Sequence, residues 1–370
     1  MTILLLGGTG ILSTDFTHKC LDEGNDVFIL NRGKRQGFID TRANLIVSDL
    51  RKETAEEIRV KVNNIFFDVI VDYLSFEPTH LEKTLKTFEG IYKQYIFISS
   101  ATAYIKLNDN VISEESNKVG NPDWSYSLNK SRCEEYLRRT DVNYTIIRPY
   151  VTYGESRLPF QLIPDGFHYT LLERIKNDKP VALLDGGSAV CTLTNTVDFA
   201  NVLYGLLLNK RAYRQAFHIT SKFQQTWKEV YETYCEILEH KPKLVSVSLE
   251  DIKKYMPEFY QPLKGDKGTS WRFDNTKVLE AIGGYEFQID LKTGLRNSIV
   301  FYETHNEMQG IDYKWDGKMD YMLRKVSGIK NLKPIESNCD RNNDRCYYDV
   351  MSNPLTHFAY MVLWNIKHRV

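Results

Sequence analysis

Apolar runs and amphipathic stretches alternate along the first 150 residues of the chain. Runs at 3–6, 27–30, 45–47, 69–71, 95–98 and 144–147 are short and lack polar alternation, while 11–23, 55–65, 81–92 and about 125–139 carry apolar positions at helical spacing. Strands without alternation are those buried on both faces, as in a parallel sheet covered by helices. The pattern predicts an α/β protein with a doubly wound sheet of six parallel strands.

Past residue 155 the pattern loosens. Pro159, Pro164 and Gly166 precede a helical stretch, a short strand at 181–184 and the turn Asp185-Gly186-Gly187. Thr226-x-x-Glu229 and Ser248-x-x-Asp251 read as capping boxes opening two more helices, the first reaching about His240. The expected division is a sheet domain over 1–155, rejoined by about 181–220, then a smaller C-terminal lobe over 156–303 and a charged appendage over 304–370. No internal repeat is present.

Composition narrows the function classes. The 370 residues are 42% hydrophobic and 26% charged, enough apolar material for a large core. Lys+Arg and Asp+Glu are 48 each, so no overall positive field exists and a nucleic-acid partner is not expected. The first strand runs straight into glycines without a basic leader, and the apolar stretch at 358–366 is far shorter than the roughly 20 residues of a membrane span. Six cysteines without a Cys-x-x-Cys pair and eight histidines without His-x-x-x-His imply reduced thiols, no metal site and a cytoplasmic location, with Cys339 and Cys346 left open as a bridge.

The chemistry begins at Gly7-Gly8-Thr9-Gly10-Ile11-Leu12-Ser13, placed between a strand and a helix. Such a turn lets the backbone approach a pyrophosphate, which sits at the positive end of the helix dipole. Ser13 stands where a third glycine normally permits close helix packing. The second strand ends in Asn31-Arg32-Gly33-Lys34-Arg35 instead of the acid that holds a ribose 2′-hydroxyl. Three cations suit a 2′-phosphate, so NADP(H) is expected over NAD(H), with Arg32 the leading contact. Asp49-Leu50 is placed to meet the adenine edge. The expected cofactor set is Gly7, Thr9, Gly10, Ile11, Leu12, Asn31, Arg32, Lys34, Asp49, Leu50, Tyr73 and Lys130.

Tyr126 and Lys130 stand four apart, on one face of a helix. The same spacing recurs at Tyr260/Lys264 and Tyr321/Lys325, but Tyr126/Lys130 lies between the fifth and sixth strands. A phenol of ordinary pKa about 10 exchanges protons poorly at neutral pH, and a nearby ammonium lowers that value. Ser100, with Thr102 assisting, would donate to the substrate oxygen that gains or loses charge. Together these groups would interconvert an alcohol and a ketone beside a nicotinamide.

On these residues, with Arg148-Pro149-Tyr150-Val151-Thr152-Tyr153-Gly154 and Asp274-Asn275-Thr276-Lys277 before Ile282-Gly283-Gly284, the chain resembles an extended short-chain dehydrogenase/reductase of the nucleotide-sugar epimerase, dehydratase and reductase type. The resemblance spans residues 1 to about 303. It implies a Rossmann domain with a smaller substrate lobe, a nucleotide-sugar substrate and a homodimer. Where relatives carry an arginine that clamps the diphosphate, the aligned residue is Cys191, leaving Arg157, Lys264 or Arg272 to supply the charge. The basic loop after the second strand favours an NADP(H)-dependent reductase of a keto nucleotide sugar. A 4-epimerase retaining its cofactor is the near alternative, and a non-catalytic dinucleotide-binding or RNA-associated relative the distant one.

Overall fold

The computed structural model describes residues 1–34, 39–63, 65–105, 111–115, 119–336 and 345–367. Arg35 of the basic run, Cys339 and the polar stretch to Asp344, and His368 lie outside the described residues. In chain order the elements used below are β1 (Thr2–Leu6), α1 (Ile11–Asp22), β2 (Asp26–Asn31), β3 (Asn44–Val47), α2 (Ala55–Lys61), β4 (Phe67–Asp72), α3 (Pro78–Phe88), β5 (Tyr92–Ile98), α4 (Ser125–Arg138) and β6 (Tyr144–Pro149). Then follow α5 (Tyr169–Lys176), α6 (Thr196–Tyr204), β7 (Gln215–Ile219), α7 (Trp227–Leu238), α8 (Leu249–Tyr255) and α9 (Tyr313–Ser327).

The strands form one parallel sheet in the order β7-β6-β5-β4-β1-β2-β3. Six were expected and seven are present. The additional strand, Gln215-Ala216-Phe217-His218-Ile219, pairs along β6 at the sheet edge, and its polar residues break the apolar run that marks the others. Alternate residues fill two cores. Ile3, Leu5, Ile29, Val71 and Ile96 pack with Phe16 of α1 and Phe199 of α6. Leu4, Leu6, Ile70, Tyr95 and Phe97 pack on the other face with Ile58 of α2, Leu81 of α3 and Cys133 of α4. Burial on both faces explains the missing alternation. Leu6 lies opposite both Leu30 and Asp72, which brings Gly7, Asn31 and Tyr73 to one carboxyl edge, the ligand edge of an open α/β sheet.

The chain divides into two compact units: Met1–Tyr153, Thr192–Gln224 and Trp271–Asp290 form the first, and Gly154–Cys191, Gln225–Ser270 and Leu291–Val370 the second. The return to the sheet domain is thus later than residue 181, and 271–290 comes back as well. Val181–Leu184 instead pairs in parallel with Leu244–Val247 in the second unit. Both capping boxes form, Thr226 accepting from the Glu229 N–H at 3.2 Å and Ser248 from that of Asp251 at 3.1 Å, and they open α7 and α8.

Helix α9, expected in an appendage, lies in the core of the second unit. Its Trp315, Met319, Met322 and Leu323 pack on Leu162, Leu184 and Val247. Asp316 and Asp320, four apart and therefore on one face, meet Arg174 of α5 and Lys179, all four side chains being buried. Arg174 donates to Asp320 at 2.5 Å and also to Asp316. Cutting one partner from a buried ion cluster leaves charge uncompensated at a cost of about 3–5 kcal/mol. Arg174→Met is expected to lower stability by that amount in urea denaturation, whereas a loss under about 1 kcal/mol would mean that the cluster does not hold α9 in place.

Candidate active site

The glycine turn is built by sterics. Gly8 has φ +73°, and a Cβ there would stand 2.4 Å from Ile29 Cγ2, so any side chain collides with β2. Ser13, 1% exposed, fits where a third glycine was expected and closes the turn. Its Oγ accepts from the Gly10 N–H at 2.9 Å and donates to the Gly10 carbonyl at 3.0 Å. This occupies one turn donor and leaves the N–H groups of Ile11 and Leu12, which have no intrahelical acceptor, at the start of α1.

Beside the turn is a cavity of about 590 Å³. Of the expected cofactor set, Gly7, Thr9, Asn31, Arg32, Lys34, Asp49 and Leu50 line it. So do residues the sequence did not mark: Arg51, Ser75 and Phe76, and Thr79, His80, Lys83 and Thr84 of α3. Among the described residues Asp49 is the one carboxylate in this wall, against the cations Arg32, Lys34, Arg51 and Lys83. The Ser75 Oγ is buried without a partner, a polar atom left for an occupant. Asn31 is engaged locally: its Nδ2 donates to the Gly7 carbonyl at 3.1 Å and its Oδ1 accepts from the Gly33 N–H at 2.7 Å, so it braces the turn. Tyr73 does not line the cavity. It packs against the core formed by β1 and β2, with a buried hydroxyl whose pKa desolvation raises well above the ordinary value.

Lys130 and Tyr126 lie on α4. The Lys130 ammonium, 2% exposed, donates to the carbonyls of Ser75 at 2.7 Å and Ile98 at 2.8 Å. Burial pulls its pKa down to about 8, against the opposing pull of Asp72. The half-buried Tyr126 ring sits 4.9 Å from that of Trp124 and 6.3 Å from that of Phe76, with the ammonium 5.9 Å from its centroid. At the end of β5, Ser100 and Thr102 are joined hydroxyl to hydroxyl at 2.9 Å, and Ser127 of α4 donates to Thr102 Oγ1 at 2.8 Å. Tyr126 and Lys130 thus share α4 with Ser127, which bonds directly to the expected Ser100–Thr102 pair.

A buried polar network supports this edge. Ser99 donates to Glu134 at 2.6 Å, and Arg148 of β6 pairs with both Glu134 oxygens at 2.9 and 2.6 Å. Arg148 also donates to the Tyr104 hydroxyl at 2.8 Å, which meets His218 Nδ1 at 3.1 Å. The other ring nitrogen of His218 faces the Asp274 carbonyl at 2.7 Å and, since a carbonyl accepts, carries the hydrogen. Burial keeps His218 neutral by lowering its pKa to about 4. Next to it the Glu114 carboxyl is raised by burial to about 7, although it accepts from the His218 backbone N–H and lies near Lys277. A carboxyl raised on folding binds more protons in the native state, so its stabilising contribution is full below the unfolded value of about 4.5 and is lost as pH rises through 7. Glu114→Gln is expected to flatten up to about 3 kcal/mol of that fall in denaturation measured from pH 4 to 8, and an unchanged slope would assign it elsewhere.

Of the expected substrate cations, Arg157 and Lys264 belong to the second unit and Arg272 to the first. Arg272 is on a short strand, Arg272–Phe273, paired with Val111–Ile112 in the first unit. Lys264 is exposed on the turn Leu263–Lys267 of the second unit. A further cation of the second unit, Lys267, has its pKa lowered to about 8 by burial and then by Arg157, and donates to the Phe160 carbonyl at 3.0 Å. No sequence spacing distinguished it from Lys264.

The family model for the NAD dependent epimerase/dehydratase family matches residues 3–219. The chain belongs to this family. It is an NAD(P)-dependent enzyme of the short-chain dehydrogenase/reductase type. It is similar to the chloroplast stem-loop binding protein of 41 kDa b of Arabidopsis thaliana, at 24% identity over 80% of this chain and 78% of that protein. It is also similar to the 2′-dehydrokanamycin reductase of Streptomyces kanamyceticus, at 23% identity over 68% and 70%. Among family folds, a UDP-glucuronic acid 4-epimerase of Bacillus cereus in complex with UDP-glucuronic acid and NAD superposes with a TM-score of 0.65 at 16% identity, over 82% of this chain and 99% of that one. No described helix is long and apolar enough to cross a membrane, and no group of three or more metal-ligating side chains occurs among the described residues.

Proposed function

We propose that the chain is an NADP(H)-dependent ketoreductase acting on a keto nucleotide sugar. The observation that carries this reading is the bond from Ser127 of α4, the residue after Tyr126, to the Thr102 hydroxyl paired with Ser100 at the end of β5, with the Lys130 ammonium 5.9 Å from the Tyr126 ring centroid on the same helix. The dinucleotide, when bound, supplies the hydride, and the residues present fit it: the cationic cavity wall, the unpartnered Ser75 hydroxyl and the open first turn of α1 would hold it. Ser100 donates to the carbonyl oxygen as it gains charge, and Tyr126 delivers the proton that turns it into a hydroxyl. Lys130 favours the phenolate left behind. The likeness to a 2′-dehydrokanamycin reductase supports net reduction, while the folds of 4-epimerases support oxidation and re-reduction of one carbon.

NADPH consumption over a panel of 4-keto sugar nucleotides, with free keto glycosides as a second panel, tests the reading. Turnover of a sugar nucleotide with stoichiometric NADPH loss is the expected result. Interconversion of two 4-epimers without net cofactor loss would replace it with the epimerase. RNA binding is a second reading, favoured by the Arabidopsis relative and opposed by the zero net charge. Retention of a stem-loop RNA at moderate salt, with no turnover on either panel, would establish it.

A further inference from the structure

Three hydroxyls link α4 to the end of β5, and each has one hydrogen to give. Ser127 Oγ donates to Thr102 Oγ1 at 2.8 Å; Thr102 Oγ1 lies 2.9 Å from Ser100 Oγ; and the Thr102 backbone N–H donates to the same Ser100 Oγ at 3.3 Å. The Ser100–Thr102 contact allows either donor, and in the arrangement that continues the direction set by Ser127 the Thr102 hydrogen points to Ser100. Ser100 then accepts twice, filling both its lone-pair directions, and its remaining capacity is one outgoing hydrogen. Ser127 is fully buried, immediately follows Tyr126, and itself has no route to solvent.

We infer that Ser127 is a positioning residue which, through Thr102, sets the direction of the hydroxyl chain so that Ser100 acts as a hydrogen-bond donor. The inference rests on the ketoreductase reading for its consequence, since a donor at Ser100 is what a carbonyl oxygen gaining charge requires. A chain of hydrogen bonds running one way also polarises its last member, making Ser100 a better donor than an isolated serine. The same constraint ties the two elements together. Ser127 travels with Tyr126 on α4, so the proton donor and the oxygen-binding hydroxyl are set in register by one bond to Thr102.

The test is a double-mutant cycle on the full chain with NADPH and the keto sugar nucleotide that the substrate panel identifies. Ser127→Ala is expected to lower kcat about tenfold with KM within about twofold, because the hydroxyl chain matters when charge develops. In a Ser100→Ala background the same change is expected to cost nothing further, a result that a packing defect at α4 would not give. Equal losses in both backgrounds, or a wild-type kcat in Ser127→Ala, would overturn the inference. A chain that turns over no keto sugar would instead defeat the ketoreductase reading. The hydroxyl direction is then read without turnover, by neutron diffraction of deuterated protein: deuterons on Ser127 facing Thr102 and on Thr102 facing Ser100 support it, and a Ser100 deuteron facing Thr102 rejects it.

Discussion

Tyr126→Phe is expected to lower kcat by about 10²- to 10⁴-fold, the range lost when a positioned proton donor is removed, while NADPH affinity stays within about twofold. The separation follows from geometry. The ring contacts to Trp124 and Phe76 involve the aromatic face, which phenylalanine keeps, and the hydroxyl does not line the cavity beside the glycine turn. What disappears is the proton that must reach the carbonyl oxygen as hydride arrives at its carbon. The pH profile gives an independent check. Lys130 holds its charge below about 8 and loses it above, and that charge favours the phenolate. Turnover is therefore expected to decline on the alkaline side with a midpoint near 8, and Lys130→Met to remove that limb along with most of the rate. Stopped-flow hydride transfer measures both. A wild-type rate in Tyr126→Phe would take the phenol out of the reaction.

The sheet was legible because its strands are buried on both faces. Apolar runs without alternation predicted β1 to β6, and the polar, edge-lying β7 escaped for the opposite reason. The second unit was harder to read. Trp315, Met319, Met322 and Leu323 repeat at helical spacing, yet charged residues interrupt them, and Asp316 and Asp320 read as a solvated face until Arg174 is seen buried against them. The site divides along the same line. Gly7, Arg32 and Tyr126 belong to local patterns with chemical reasons attached. Ser75, which follows β4, and Lys83 and Thr84 of α3 line the cavity together with Asp49 and Arg51, which follow β3, Lys83 donating to the Arg51 carbonyl at 3.1 Å, a consequence of topology that no spacing encodes. Ser127 lies between Tyr126 and Lys130, but its meaning depends on a partner 25 residues earlier.

Arg32→Ala is expected to weaken NADPH about ten- to a hundredfold and NADH less than about twofold, as measured by fluorescence titration of each. A charge-assisted hydrogen bond contributes about 1.5–3 kcal/mol, and a 2′-phosphate is the one group that distinguishes the two ligands. Asn31, at the usual position of a ribose-binding acid, uses one amide N–H on the Gly7 carbonyl and one oxygen lone pair on the Gly33 N–H, so part of its bonding capacity braces the loop. That leaves Arg32 and Lys34, both exposed at the cavity, with Arg51 and Lys83 behind them. Asp49, the single carboxylate among the described residues of the wall, already accepts from the Arg51 backbone N–H at 3.0 Å. A wall of this sign attracts the more anionic dinucleotide. Arg32→Asp reverses the sign locally and supplies an acceptor for a 2′-hydroxyl, so it is expected to favour NADH. Equal losses for both ligands in Arg32→Ala would show that this arginine serves the pyrophosphate or the general field, and the preference would then belong to NAD.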